Sequence, residues 1–229
     1  MCGRYSLFGP VSLSRRAIAE LHNLGLDLES ALNERPAHYN IAPTQLAPVV
    51  ALAEGQAQVK DLRWGLIPSW AKDAKIGARA INARVETVAE KPMFRAAFRA
   101  RRCLVPASGY FEWRVEAAGK QPYFIHAPDG TVLLFAGLWE PWRPPGAEDW
   151  TRSFTIITGE PGKVSGDIHD RQPVIVPPES IHAWLTAPPA DALQLLKSAP
   201  EAPLQYHAVP KAVGSPRNTG RELVEPINP

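Results

Sequence analysis

The stretch CLVPASGYFEWRVEAAGKQPYFIHAPDGTVLLFAGL, residues 103–138, decides the fold. Its β-branched and aromatic runs, which favour strands, lie at residues 103–106, 110–115, 123–126 and 132–138. Turn-forming residues separate these runs, as in the PDG sequence at 128–130. Because so many short strands must protect their edges, the segment predicts a β-rich sheet that closes or curls on itself.

The flanking sequence adds further strands and several helices to this sheet. The same reasoning predicts strands at residues 49–52, 58–62, 81–88, 154–158 and 174–176. Apolar periodicity and Pro or Gly boundaries predict helices at residues 12–23, 92–102, 178–185 and 189–197. The 24 prolines and 16 glycines are spread along the whole chain and mark no linker. We therefore expect one α+β domain that spans residues 1–229.

Composition narrows the class of protein. Hydrophobic residues make up 45% of the 229 positions and charged residues 21%, which is typical of a soluble globular chain. The sequence has neither the apolar run of a signal peptide nor a stretch long enough to span a membrane, so a cytoplasmic protein is expected. Its two cysteines, Cys2 and Cys103, are too few for a disulfide framework or a zinc site. We expect neither a metal nor a cofactor.

Positive charge is concentrated in the middle of the chain. Residues 60–120 hold 13 Lys or Arg against 6 Asp or Glu, although the formal net charge of the whole chain is only +2. Trp64, Trp70 and Trp113 lie within this region. Guanidinium groups that hold phosphates and aromatic faces that stack on bases would suit single-stranded nucleic acid. A solvated basic face with tryptophans in the core explains the pattern equally well.

Cys2 follows the initiator methionine directly. Removal of Met1 would give Cys2 a free α-amine beside its thiol, and such a 1,2-aminothiol captures aldehydes. The amine first forms an imine, and the neighbouring sulfur then closes a thiazolidine ring. The alternative is that Cys2 only packs as a small apolar residue.

Two further side chains are candidates for proton transfer. Glu112 lies between Phe111 and Trp113, and apolar surroundings would raise the pKa of its carboxyl group. An exposed strand glutamate paired with Arg114 or another cation is the alternative. His169 lies among carboxylates in a polar loop, where it would titrate near working pH or serve only as a hydrogen-bonded loop residue.

Asn82 and Arg84 lie two positions apart in a predicted strand and therefore share one face. The two side chains could point together at one ligand, because an amide forms hydrogen bonds with hydroxyl groups and a guanidinium binds a phosphate. Each residue could equally be a solvated strand position.

Taken in order, several motifs resemble the SRAP family, the SOS response-associated peptidases. They are MCGRY (1–5), YNIAPTQ (39–45), WGLIPSWA (64–71), INARVET (81–87), RCLVPA (102–107), GYFEW (109–113), FAGLW (135–139) and IHDR (168–171). No single motif is decisive, but their shared order over nearly the whole chain makes chance similarity very improbable.

The resemblance implies an α+β fold whose β-rich sheet is partly closed or bifurcated and flanked by helices. It also implies a protein that binds single-stranded DNA and crosslinks to abasic sites through Cys2. Glu112 would shuttle protons to and from the amine, His169 would assist opening of the sugar ring, and Asn82 would position the sugar or the cysteine. The basic positions expected near the DNA backbone are Arg4, Arg84 and Arg171, and the apolar groups expected beside the bases are Pro43 and Trp70.

Two other functions remain open from the sequence. An N-terminal cysteine can act as the nucleophile of a peptidase or amidohydrolase, with its own α-amine as base. Alternatively, arginines and tryptophans could read modified or single-stranded DNA without any covalent step. In each case the expected state is a monomer that does not bind membranes.

Overall fold

In a computed structural model, which describes residues 2–144 and 146–227, strands alternate with short helices. The strands are β1 (Tyr5–Leu7), β2 (His38–Ile41), β3 (Leu46–Ala53), β4 (Gln56–Trp64), β5 (Asn82–Arg84), β6 (Arg102–Ala107), β7 (Gly109–Glu116), β8 (Gly119–His126), β9 (Leu133–Trp142), β10 (Thr151–Gly159), β11 (Gln172–Pro173) and β12 (Gln205–Ala208). The α-helices are α1 (Arg15–Asn23), α2 (Leu28–Asn33), α3 (Arg95–Ala100), α4 (Lys163–Gly166), α5 (Ile181–Thr186) and α6 (Pro189–Ser198). Short 3₁₀ helices cover Ala74–Arg79, Pro178–Ser180, Lys211–Gly214 and Arg221–Val224.

One sheet closes into a five-stranded barrel. Its strands follow the order β10, β4, β3, β6 and β9, and β9 pairs again with β10. All of these pairings are antiparallel except that of β10 with β4, which is parallel. The predicted closure of the sheet is therefore confirmed. The short strands β5 and β11 extend the barrel by pairing with the last residues of β10.

A second, antiparallel sheet follows the order β12, β8, β7, β1 and β2. Aromatic side chains join it to the barrel: the ring of Tyr5 on β1 meets that of Trp64 at 5.1 Å, and the ring of Tyr110 on β7 meets that of Phe135 at 5.8 Å. All four rings are completely buried. Edge-to-face contacts of this kind stabilise a core beyond the area they bury. The two sheets thus share one apolar core.

Local sequence explains where several elements begin and end. The hydroxyl of Ser14 accepts a hydrogen bond from the backbone of Ala17 and caps α1, and Gly25 adopts a φ of +79° just beyond its end. Gly65 has a φ of +117°, and a Cβ there would lie 2.6 Å from the carbonyl oxygen of Gly77. Glycine is therefore required after β4, where the chain turns towards the loop that carries Trp70.

Of the predicted elements, the following three differ most clearly from the observed ones. The strand expected at 81–88 is limited to β5, because the chain turns where the Thr87 amide bonds the Arg84 carbonyl. The helix expected at 92–102 begins only at Arg95, and Arg102 belongs to β6. The strand expected at 174–176 is an irregular segment beyond β11 that makes a single β-bridge from Ile175 to Phe135.

Candidate active site

Glu112 is the acidic group at the centre of the candidate site. Strand β7 directs its side chain inward, and only 3% of the residue is exposed. Burial raises the pKa of the Glu112 carboxyl group from 4.5 to about 8. The alternative of an exposed glutamate is wrong because Glu112 is buried, and Arg114 pairs with Glu116 rather than with Glu112. A carboxyl group that titrates near neutral pH can both donate and accept a proton.

His169 approaches Glu112 from the segment between β10 and β11. Its Nε2 lies 3.9 Å from Oε2 of Glu112, and its side chain is about one quarter exposed. The backbone amide of His169 donates to the carbonyl oxygen of Ser165, which belongs to the single helical turn α4. Partial burial lowers the pKa of the imidazole from its ordinary value of 6.5. The ring is therefore mostly neutral at pH 7 and available for proton transfer.

The other ring nitrogen of His169 has two neighbours with opposite requirements. The amide of Arg171 lies 3.1 Å from Nδ1 and needs a lone pair there, whereas Oδ1 of Asp170 lies 2.9 Å away and needs a proton. The side chain of Asp170 is 87% exposed and is free to turn to water. In neutral His169 we therefore assign the proton to Nε2, the nitrogen that faces Glu112.

Cys2 is held beside Glu112 through the backbone of Arg4. The carbonyl oxygen of Arg4 accepts the amide of Phe111 at 2.9 Å, and the thiol of Cys2 contacts the same oxygen at 3.9 Å. Cys2 is completely buried. Burial raises the pKa of the thiol well above its ordinary value, and the charge of Glu112 raises it further. The thiol is therefore neutral at pH 7.

Met1, whose removal the aminothiol hypothesis requires, lies outside the described residues.

Asn82 and Arg84 lie on β5, at the edge of the barrel. Nδ2 of Asn82 donates to the carbonyl of Ile81 at 3.0 Å, and its Oδ1 is buried with no hydrogen-bond partner within residues 2–144 and 146–227. Arg84 is exposed and stands opposite Thr158 in the register. Within those same ranges, no hydrogen bond or ion pair joins Asn82 to Cys2, Glu112 or His169. The structure does bring Arg84 and Arg171 to the same end of β10, because Arg171 binds the carbonyl of Thr158.

Arg4 and Arg171, both expected near DNA, already have partners within the protein. The guanidinium of Arg4 donates to Oδ1 of Asn40 at 2.9 Å and to the carbonyls of Val213 and Gly214 at 2.9 and 3.2 Å. The guanidinium of Arg171 forms a bidentate ion pair with Glu86. Of the three arginines, Arg84 is therefore the one whose guanidinium is unoccupied in the described part of the chain.

The two apolar groups expected beside the bases flank the end of β4. Trp70 is 58% exposed in a turn closed by the bond from the Ala71 amide to the Pro68 carbonyl. Pro43 is partly buried and precedes Thr44, whose amide bonds the carbonyl of Trp64. Of the three tryptophans in the basic middle of the chain, Trp64 is a core residue because it is completely buried.

Sequence reasoning assigned no role to Asn40, Glu86 or the pair Tyr110 and Ser165. The amide nitrogen of Asn40 donates to the carbonyls of Ser215 and Asn218, while its oxygen holds Arg4. Asn40 and Tyr110 lie inside motifs that carried the family resemblance, but nothing in those motifs indicates their partners. The contacts join residues far apart in the chain and are visible only once it is folded.

The described residues provide neither a cluster of metal ligands nor a helix that could span a membrane. No group of three His, Cys, Asp or Glu side chains among them is arranged to hold a metal ion. In the same part of the chain, none of the helices is long and apolar enough to cross a lipid bilayer.

Comparison with known proteins defines the class. A family model described as SOS response associated peptidase (SRAP) matches residues 1–216, and the chain belongs to this family. It is 38% identical over 229 residues to the abasic site processing protein YoqW of Bacillus subtilis, covering 98% of this chain and 99% of that protein. It is 32% identical over 222 residues to the abasic site processing protein HMCES of Xenopus tropicalis, covering 82% of this chain and 66% of that protein.

The fold is shared with solved structures as well. A crystal structure of a protein from Bacteroides thetaiotaomicron is 27% identical and superposes with a TM-score of 0.78, covering 99% of this chain and all of that one. The expected α+β fold of the SRAP type is therefore confirmed.

Proposed function

We propose that this protein binds abasic sites in single-stranded DNA and links to them covalently through Cys2 once Met1 has been removed. The names of the relatives support processing of abasic sites. The observation that carries the covalent step is the position of the Cys2 thiol next to Glu112, whose carboxyl group has a pKa of about 8 and faces His169.

The proposed reaction balances without an oxidant or a reductant. Hydrolysis of the bond between Met1 and Cys2 consumes one water and frees the α-amine. The amine adds to the aldehyde carbon of the ring-opened sugar, and loss of one water gives an imine. The sulfur then adds to the same carbon of this imine, which is protonated on nitrogen, the thiol proton passes to the carboxylate of Glu112, and a neutral thiazolidine with an N–H results.

Each side chain of the site has a defined task in this proposal. Protonated Glu112 donates to the hydroxyl that leaves as water, and its carboxylate then takes the proton from the thiol. His169, with its proton on Nε2, assists opening of the sugar ring. Asn82 offers its buried Oδ1 to a sugar hydroxyl or to the amine of Cys2.

Binding of the strand rests on charge and stacking. Arg84 is exposed and would hold a phosphate, Arg171 would do so after releasing Glu86, and Trp70 would stack on a base. Arg4 would contribute mainly by fixing the segment that carries Cys2, since its guanidinium is engaged by Asn40 and by two carbonyls.

The experiment that tests the proposal uses a single-stranded oligonucleotide with one abasic site. We expect an adduct that survives denaturation without borohydride and has the mass of the chain lacking Met1 plus the oligonucleotide minus one water. Cys2→Ala should form no such adduct, and neither should a chain with an N-terminal extension that keeps the nitrogen of Cys2 in a peptide bond. Cys103→Ala, which removes the chain's other thiol, should react like the natural protein.

The alternatives give different results in the same experiment. If Cys2→Ala crosslinks as well as the natural protein, the aminothiol mechanism is wrong. If the natural protein binds the oligonucleotide but never forms an adduct, a non-covalent reader remains. Cleavage of added peptides that depends on Cys2, without an adduct, would favour the peptidase or amidohydrolase.

A further inference from the structure

Strand β7 makes two polar contacts with the segment that carries His169. Tyr110 and Glu112 lie two residues apart, so both side chains project from the same face of the strand. Glu112 faces the imidazole of His169, and Oη of Tyr110 lies 2.6 Å from Oγ of Ser165. Tyr110 and Ser165 are both buried. One strand face therefore contacts both the ring of His169 and the helical turn that precedes it.

Ser165 connects that turn to the backbone of His169. Its carbonyl oxygen accepts the amides of Ile168 and His169 at 3.0 and 2.9 Å. The hydroxyl of Ser165 is thus fixed to β7 while its carbonyl fixes the start of the loop. Further polar contacts of the segment between β10 and β11 lead to Glu86, Thr158, Gln172, Glu201 and Tyr206, none of which lies on β7.

We propose that the Tyr110–Ser165 hydrogen bond sets the separation between His169 and Glu112, which makes Tyr110 and Ser165 positioning residues for aldehyde capture. This inference rests on the proposed function. It assigns the two hydroxyl groups no contact with DNA and no proton transfer of their own.

The environment of Tyr110 makes it a fixed point of attachment. Its ring packs edge to face against Phe135 in the core, with 5.8 Å between the centroids. Burial raises the pKa of its hydroxyl well above the ordinary value, so the group stays neutral and able to donate. Without this hydroxyl, the buried Oγ of Ser165 would lose its partner and the turn would move to regain one. Displacement of a catalytic group by about 1 Å can cost about 100-fold in rate.

The test measures the rate constant of crosslinking at saturating abasic-site DNA, using the full-length chain. Tyr110→Phe keeps the ring and removes only the hydroxyl, and Ser165→Ala removes its partner. We expect each variant to lower the rate constant about 10-fold or more, with an unchanged dissociation constant for non-covalent binding. The double variant should lose no more than the single ones, because all three lack the same bond.

A second background shows whether the effect passes through His169. In His169→Ala, adding Tyr110→Phe should change the rate constant less than about 2-fold. The matched control is Tyr123→Phe on the neighbouring strand β8, which also removes a tyrosine hydroxyl, here 2.6 Å from Glu116. It should leave the crosslinking rate unchanged. NMR titration should show the pKa of His169 closer to its ordinary value in Tyr110→Phe, because the ring becomes less buried.

The outcomes separate this inference from the proposed function. If the natural protein forms no adduct through Cys2, the proposed function fails, and the NMR titration still decides whether Tyr110 positions His169. If the natural protein crosslinks and Tyr110→Phe does so at the same rate, the inference is wrong. It is also wrong if Tyr110→Phe slows the reaction equally in the natural and the His169→Ala background.

Discussion

Arg171 and Glu86 form a bidentate ion pair in which Nη1 and Nη2 of the arginine lie 2.5 and 3.0 Å from the two carboxylate oxygens. The pair lowers the pKa of the Glu86 carboxyl group, so it stays ionised at neutral pH. A phosphate that binds Arg171 must therefore displace the carboxylate of Glu86 or share the guanidinium with it. The pair reduces the charge that this edge of the barrel presents to DNA.

Glu86→Gln should strengthen non-covalent binding of single-stranded DNA, because it frees the guanidinium of Arg171. The plot of log binding constant against log salt concentration should steepen by about 0.7, the contribution of one phosphate contact. Fluorescence anisotropy at several salt concentrations measures both quantities. Asp73→Asn changes the net charge equally at an exposed ion pair with Lys75 and serves as the control. Equal effects of the two substitutions would mean that only overall charge matters.

Arg4 and Arg84 should respond differently to substitution by alanine. Arg4→Ala removes three hydrogen bonds from a charged donor and should lower the free energy of unfolding by about 2–4 kcal/mol, with little change in the salt dependence of binding. Arg84→Ala should leave stability nearly unchanged and reduce the salt slope by about 0.7. Urea denaturation and anisotropy titrations separate the two effects. A reduced salt slope in Arg4→Ala would mean that Arg4 contacts a phosphate.

Local signals in the sequence were sufficient for much of the fold. Ser14 and Gly25 bracket α1 because a cap and a left-handed residue act within one turn of the chain. The hairpin of β3 and β4 is also local, with its turn at residues 54 and 55. The desolvation of Glu112 was predicted from its aromatic neighbours and is confirmed by its burial.

Contacts between distant parts of the chain account for what the sequence could not predict. The sequence predicts that the sheet closes but not which strands close it, namely β10, which pairs with β9 on one side and with β4 on the other. Arg4, predicted to lie near the DNA backbone, donates to the carbonyls of Val213 and Gly214, 209 and 210 positions away in the chain. The strand expected beyond Arg84 ends once the Val85 amide has bonded to Thr158 of β10, because the Thr87 amide then bonds to the Arg84 carbonyl and the chain turns. Periodicity carries no information about such partners.

Trp70 should contribute to DNA binding through stacking rather than to the core. A base stacked on an aromatic ring contributes about 1–3 kcal/mol, so Trp70→Ala should weaken binding of single-stranded DNA by about 5-fold or more without lowering the melting temperature. Trp150 is the matched control, since it is 54% exposed and its ring already lies under Arg143, with 4.9 Å between guanidinium carbon and ring centroid. Trp150→Ala should bind as the natural protein does. Equal losses in both variants would point to non-specific stacking.

The raised pKa of Glu112 should appear as a pH dependence of stability. An acid whose pKa rises from 4.5 to about 8 on folding binds its proton more tightly in the folded state. As pH increases through this window the unfolded chain loses the proton first, so the free energy of unfolding falls by at most about 1.4 kcal/mol per pH unit. Glu112→Gln lacks this ionisation. Its stability relative to the natural protein should therefore increase from about pH 4.5 to about pH 8 and stay level above that.

Glu116→Gln, on the same strand, serves as the comparison, because the pKa of Glu116 is lowered on folding whereas that of Glu112 is raised. Hydrogen bonds from Tyr123 and Arg114 lower the pKa of Glu116, so its ionisation favours the folded state and that contribution is lost as the pH falls below 4.5. The lowered pKa of His169 also makes the free energy of unfolding depend on pH in acid. This contribution is common to all three proteins and cancels when their free energies are subtracted. Urea denaturation at half-unit steps from pH 4 to pH 9 compares them. A constant difference between Glu112→Gln and the natural protein would mean that folding does not raise the pKa of Glu112, so that Glu112 would be ionised at neutral pH and would lack the proton that it donates to the leaving water.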